Sequence, residues 1–212
     1  MGIYAIKPKF QKTLRPIENL LVRFRVHPTW INIIGLIMSL GTAAALVASP
    51  VYSDWLLLLV PVLTTIRTAC NALDGLVSRR LGVAGRFGEV LNETIDRVSD
   101  SAIFIAVYFL QASNDNLALF TLVAILINSY LSIVSKAAGG SRQYGGIMGK
   151  ADRMIYISIF AVLILITGNQ GLWDVFLWFT LVGTVLTFWH RFSATRQELR
   201  TLDTKQKPYA NS

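Results

Sequence analysis

Only 15% of the 212 residues are charged and 53% are hydrophobic, with a mean hydropathy of +0.51. A soluble domain has about a quarter of its residues charged, so this composition excludes an ordinary soluble fold and points to an all-α integral membrane protein. The net charge of +8 would suit nucleic acid, but the cations stand at the ends of apolar segments, which favours the membrane surface and no nucleic acid.

Residues 1–26 mix Ile3, Tyr4, Ile6, Phe10, Leu14, Ile17, Leu20, Leu21 and Phe24 with six cations, from Lys7 to Arg25. Leu14, Ile17, Leu21 and Phe24 fall at helical spacing, which predicts an amphipathic helix lying in the headgroup region. Met1 to Arg15 has neither a continuous apolar core nor a small-residue cleavage site, so no cleavable signal peptide is expected. Six apolar segments follow, at about 29–49, 54–78, 92–111, 117–137, 152–168 and 171–191. Each approaches the roughly 20 residues that cross a bilayer, which predicts six transmembrane helices. The connections near 50–54, 112–116 and 168–174 hold none of the chain's 20 lysines and arginines. The N-terminal segment, the second and fourth connections and the tail hold all but Arg67 and Arg97, which places both termini in the cytoplasm. The domain plan is an amphipathic segment over 1–26, a six-helix domain over 27–192 and a basic tail over 193–212. Short connections and the lack of an appended domain point to a bacterial plasma membrane.

Helix contact has visible sources. Gly35 and Ser39 stand four apart in the first span, and Gly183 and Thr187 in the sixth. Thr121, Asn128, Ser132 and Ser135 form a polar stripe that should face protein and bond between helices. Trp30, Trp55, Trp173, Trp178 and Trp189 mostly lie near span ends, as interfacial anchors do. The single cysteine, Cys70, sits in an apolar span and reads as a small buried side chain. His27 and His190 have no companions that would make a metal or catalytic set.

Acids, amides, arginines and glycines crowd into residues 71–96. On a helix Asn71, Asp74, Gly75 and Ser78 fall at i, i+3, i+4 and i+7 and share a face, with Arg79 beside them. Gly88, Asn92, Asp96 and Asp100 repeat at i+4 steps on a second helix. Two such faces of oxygen ligands, joined by a glycine-rich turn, can hold a hard cation between them. Ionisable groups in a span cost about 2.5–3.5 kcal/mol each on insertion scales, so they signal function by default. The plainer alternative is an ion-pair network between the helices. It suits Arg67, Arg97 and Asp100, but it needs neither the glycines nor the amides.

The run Asn71-x2-Asp74-Gly75-x2-Ser78-Arg79-x8-Gly88-x3-Asn92-x3-Asp96 resembles the motif of the CDP-alcohol phosphatidyltransferase family. The family pattern is Asp-x2-Asp-Gly-x2-Ala-Arg-x8-Gly-x3-Asp-x3-Asp, and every spacing agrees. The resemblance implies transfer of a phosphatidyl group from a CDP-linked lipid such as CDP-diacylglycerol to an alcohol hydroxyl, releasing CMP, in a homodimer with membrane lipids around it. It implies a divalent metal, Mg²⁺ or Mn²⁺, on Asn71, Asp74, Asn92 and Asp96, with Asp96 also the general base. It implies contact of the CDP moiety with Asp74, Gly75, Ser78, Arg79 and Gly88. The departures are Asn71 and Asn92 for aspartate and Ser78 for alanine. Four carboxylates balance two divalent ions and two match one, so either one ion is held tightly or a second enters with the pyrophosphate. Glu89 or Glu93 could partly compensate.

A second cluster, Lys136 to Arg153, contains Gly139, Gly140, Gly145, Gly146 and Gly149, which suggest a mobile loop. Related enzymes often hold an acceptor phosphate here, which makes Arg142, Lys150 and Arg153 candidate acceptor ligands. Ordinary positive-inside topology is the competing explanation, and is preferred for Lys136. Two rivals stand beside the transferase reading: a silent family member that binds lipid or nucleotide, and a small transporter. The transporter predicts internal repeats or midplane charges, whereas these charges cluster at the cytoplasmic ends of the spans.

Overall fold

The computed structural model describes residues 7–110 and 116–206, and among these all regular structure is helical. Ile3, Tyr4, Ile6, most of the 112–116 connection and Lys207 therefore lie outside the described residues.

The N-terminal segment forms two short helices, α1 (Lys7–Thr13) and α2 (Arg15–Arg23). The break falls at Leu14, where Pro16 in the first turn of α2 removes a backbone donor. Leu14 and Leu21 pack inward with Ile31, Cys70, Leu73 and Val77. Ile17, Leu20 and Phe24 point outward, so the apolar residues split between a protein face and an outer one. Arg80 ties α2 to the rest of the chain, donating to Asn19 Oδ1 at 2.6 Å and to Glu18 at 3.3 Å.

Six long helices follow: α3 (Pro28–Tyr52), α4 (Leu59–Leu81), α5 (Arg86–Tyr108), α6 (Leu117–Ala137), α7 (Lys150–Thr167) and α8 (Leu172–Gln206). His27 caps α3, its Nδ1 accepting from the Thr29 amide at 3.3 Å. A 3₁₀ turn, Asp54–Leu58, leads into α4. Gly82, at φ +68°, ends α4 in a left-handed cap that an L side chain would strain. Four segments are long and apolar enough to cross a membrane: Pro28–Tyr52, Asp54–Leu81, Leu117–Ala137 and Leu172–Thr204. α5 and α7 are interrupted by ionisable residues, from Arg86 to Asp100 and from Lys150 to Arg153. α8 continues without a break through the 193 boundary, because Ala194, Arg196, Gln197, Glu198 and Leu199 keep helix propensity where hydrophobicity ends.

The helices pack as a ring in the order α3, α5, α6, α8, α7, α4 and back to α3. α3 stands between α4 and α5, so the two motif-bearing helices face each other across a space. Gly35 meets Cys70 of α4, where a Cβ would lie 3.4 Å from Cys70 Cβ. The core at the far end of the ring includes Leu46, Leu57, Ile103, Phe104, Ile125, Ile157 and Phe176. Trp173 belongs to this core, 1% exposed, and so differs from the outward-facing Trp30, Trp55, Trp178 and Trp189. The stripe Thr121, Asn128, Ser132 and Ser135 is buried, as its polarity requires.

Two expectations about the 138–149 connection change. Ser132 and Ser135 of α6 donate to Gln143 O and Ser141 O, each at 2.9 Å, so part of the stripe anchors this loop. Thr187 of α8 accepts from the Ile147 and Met148 amides at 3.2 and 3.0 Å. Glu198 accepts from the Ser141 amide at 2.8 Å and from Gln143 Nε2 at 2.7 Å. Gly146 sits at φ +119°, and a Cβ there would come 2.2 Å from Thr187 Cγ2. The glycines let the loop lie tightly on α8, and the loop is pinned along its length.

Candidate active site

The space between α4 and α5 opens into a partly enclosed cavity of about 740 Å³. One wall carries Asn71, Asp74 and Gly75 from one face of α4; the facing wall carries Asn92 and Asp96 from α5. The N-terminus of α7 brings Lys150 and Arg153, the loop brings Arg142 and Tyr144, and α8 brings Arg191. Six cations line the cavity (Arg67, Arg97, Arg142, Lys150, Arg153, Arg191) against four acids (Asp74, Glu93, Asp96, Asp152). The excess of positive charge in a partly enclosed recess draws anionic groups such as phosphates.

Behind the recess lies a structural ion cluster. Asp100 is fully buried and accepts from Arg67 at 3.0 Å and from Arg153 at 2.8 Å, with Arg97 at 3.7 Å. This joins α4, α5 and α7, and it is the ion-pair role expected for Arg67, Arg97 and Asp100. It also engages Arg153, for which the family resemblance implied an acceptor contact. Arg142 pairs with Glu93 and lies 5.0 Å above the Tyr144 ring. Lys136 pairs with Glu89 outside the cavity lining.

At the motif itself, Asp74 Oδ1 accepts from the Gly75 amide at 2.6 Å. Lys150 Nζ donates to Asn71 Oδ1 at 2.6 Å and pairs with Asp96 Oδ1. Asp96 Oδ2 lies 4.0 Å from Arg97. Asn92 Oδ1 is buried without a hydrogen-bond partner. Among the described residues no group of three or more His, Cys, Asp or Glu side chains could hold a metal ion. The motif offers two carboxylates and two amide oxygens instead. An all-oxygen set with one buried oxygen left open suits a hard divalent cation, at lower negative charge than four aspartates would give.

Ser78, Arg79 and Gly88 do not line the cavity; they continue the same helix faces toward the α4–α5 turn. Ser78 Oγ donates to Gly75 O at 3.3 Å. Among the described residues, no atom beyond the chain neighbours and backbone of its own helix lies within 4 Å of a Cβ built on Gly88, so packing of these residues does not require glycine there. A ligand lying along α5 would.

The family model of the CDP-alcohol phosphatidyltransferases matches residues 25–189. The chain belongs to the CDP-alcohol phosphatidyltransferase family. It is similar to the inner membrane protein YnbA of Escherichia coli K12, 32% identical over 201 residues, covering 94% of this chain and 97% of that one. It is also similar to the phosphatidylinositol phosphate synthase of Corynebacterium glutamicum, 28% identical, covering 88% and 85% of the two chains. Among solved structures it resembles Mycobacterium tuberculosis phosphatidylinositol phosphate synthase. The form with manganese and citrate superposes with a TM-score of 0.70 at 25% identity, covering 85% of this chain and 87% of that one. The form with CDP-DAG bound gives the same TM-score and covers 92% of that chain.

Arg191 is the cationic cavity residue that the sequence reading did not place in the site, and uncharged or acidic lining residues such as Thr64, Thr68, Gln143, Asp152 and Ser158 were missed with it. Arg191 follows Gly183 and Thr187 at i+4 steps on α8, and that periodicity is the signal that would have found it. Its guanidinium donates to Gly145 O at 2.8 Å and Ser132 Oγ at 3.1 Å, both neutral acceptors.

Proposed function

We propose that the protein transfers a phosphatidyl group from CDP-diacylglycerol, or a similar CDP-linked lipid, to the hydroxyl of a polar acceptor, releasing CMP. The observation that carries this reading is the meeting of the motif oxygens and six cations in one recess between α4 and α5. The helices would cross the membrane six times with both termini cytoplasmic, the charges of α5 and α7 turned to the ring interior. Paired charges facing protein make such helices tolerable in a bilayer. The family resemblance extends the proposal to a homodimer in a bacterial plasma membrane.

In this reading Asn71, Asp74, Asn92 and Asp96 hold Mg²⁺ or Mn²⁺. The bound ion supplies charge neutralisation on the phosphoryl oxygens. Asp96 takes the proton of the acceptor hydroxyl as its oxygen bonds to the β-phosphorus. The bond from that phosphorus to the oxygen of CMP breaks, and CMP leaves. Gly75 and Gly88 let the nucleotide approach the helix backbone, and Arg79 and Ser78 contact it. Gly88→Leu should therefore fold normally but raise the KM for the CDP-lipid about 10- to 100-fold, the effect of overfilling a fitted surface by 1–3 kcal/mol. A KM within twofold of wild type would remove Gly88 from the nucleotide path.

Arg142, Lys150 and Arg153 were the acceptor ligands expected from sequence, and each is paired with a carboxylate. The Arg191 guanidinium donates to the neutral oxygens of Gly145, Ser132 and Asn128, which favours it as an additional anchor for a phosphorylated acceptor. Arg191→Ala should raise the acceptor KM about 10- to 100-fold, the cost of one charged hydrogen bond, and leave the KM for the CDP-lipid within twofold. Steady-state kinetics with each substrate varied checks both arms. The deciding experiment incubates purified protein with CDP-diacylglycerol and Mg²⁺ or Mn²⁺ and screens glycerol 3-phosphate, inositol phosphates, serine and other hydroxyl compounds for CMP release. A silent, ligand-binding family member is the second reading, favoured by the two asparagines in the motif. It predicts nucleotide binding without CMP release under every condition.

A further inference from the structure

We propose that Lys150 is a tethered cation that takes the place of a second divalent ion, so that the motif oxygens hold one metal ion and one ammonium. The inference rests on the metal-dependent reading above. Lys150 begins α7, and its Nζ bridges Asn71 Oδ1 of α4, at 2.6 Å, and Asp96 Oδ1 of α5. The ammonium thus spans the gap between the two motif helices, where a cation joining them would sit. The pairing is largely shielded from water, with 23% of the Lys150 side chain and 8% of that of Asp96 exposed, so it is unlike a solvated surface bridge.

Charge favours the same arrangement. Four aspartates neutralise two divalent ions, whereas this motif has two, Asp74 and Asp96. With Lys150 in place the set sums to one negative charge. One divalent ion converts that to one positive charge, which an entering pyrophosphate can meet. Two ions would leave three positive charges within a few ångströms of one another, at a steep Coulomb cost. Asn71 fits the same scheme, since one carboxylate and one amide oxygen match a single ammonium. The four-residue metal set of the reading above thus narrows to Asp74 and the unpartnered Asn92 Oδ1, with Asn71 and Asp96 Oδ1 turned to the ammonium. The asparagine at 71 and the lysine 79 residues later form one compensated pair.

The test is Mn²⁺ binding by the purified full-length protein in detergent, without nucleotide, followed through the electron paramagnetic resonance signal of free Mn²⁺. The wild type should bind one ion per chain. Lys150→Met should bind Mn²⁺ about tenfold or more tightly, because a like charge beside the ion is gone. Asn71→Asp with Asn92→Asp and Lys150→Met should bind two ions. Lys150→Arg, which keeps the charge, should retain one ion at wild-type affinity. Two tight ions in the wild type, or unchanged affinity in Lys150→Met, would overturn the inference; the second result is what a lysine serving only the acceptor phosphate would give. If Lys150→Met does not fold, Asn71→Asp alone decides, with one ion expected and two ions fatal. No Mn²⁺ uptake by any variant would overturn the inference together with the metal reading, while CMP release judges the transferase reading separately.

Discussion

Asp96→Asn is expected to lower CMP release from CDP-diacylglycerol by about 10²–10⁴-fold, the usual contribution of a positioned general base. The substitution keeps the shape of the side chain and one carbonyl oxygen, but its amide cannot accept the hydroxyl proton. It also removes the counter-charge of Lys150, which would then face two neutral amide oxygens, at positions 71 and 96. The loss should appear in kcat at saturating CDP-lipid, with the protein still eluting as a single species on gel filtration. A kcat within fivefold of wild type would remove Asp96 from the chemistry. Full retention of CMP release would also leave the family motif without its expected base.

Asp100→Ala should be the most destabilising single change in the cavity region. Asp100 is fully buried and serves Arg67, Arg153 and Arg97 at once. Its removal strands the guanidinium groups of Arg67 and Arg153, both almost wholly buried, and takes from Arg97 the nearer of its two carboxylates. Breaking a buried charge pair from one side costs about 3–5 kcal/mol. For a chain of this size that corresponds to a fall in Tm of about 6–20 °C. Cys70, the chain's single cysteine and a buried one, gives a built-in readout. A thiol-reactive fluorophore labels it as the ring opens on heating. A Tm within 1 °C of wild type would show that the three arginines are satisfied elsewhere.

What was legible in the sequence is what local periodicity encodes. Asn71, Asp74 and Gly75 share a face because helix geometry puts i, i+3 and i+4 together, and Asn92 and Asp96 follow the same rule. The long helices followed from hydrophobic length, and the buried stripe on α6 from its polarity. Contacts between distant segments were not legible. Nothing local to α3 says that it stands between α4 and α5. The family resemblance implied an acceptor role for Lys150, and nothing in its own segment says that it also reaches back to Asn71 and Asp96. Charge marked the end of the sixth span near residue 191, although the helix runs on to Gln206, since propensity outlasts hydrophobicity. Trp173 lies near a span end as an anchor would, but its ring turns inward against Phe176, at 6.3 Å between centroids.

Closure of the ring sets an order of events during synthesis. α4 and α5 leave the ribosome before α7, so Arg67 is on hand for Asp100 from the outset, whereas Arg153 arrives some 50 residues later. Until then only Arg67 and Arg97 shelter that acid inside the nascent protein. The recess is walled only when α8, which follows α7 in the chain, seats the 138–149 loop against Thr187 and Glu198. A chain stalled before residue 187 would therefore carry every motif oxygen and still have an unwalled site.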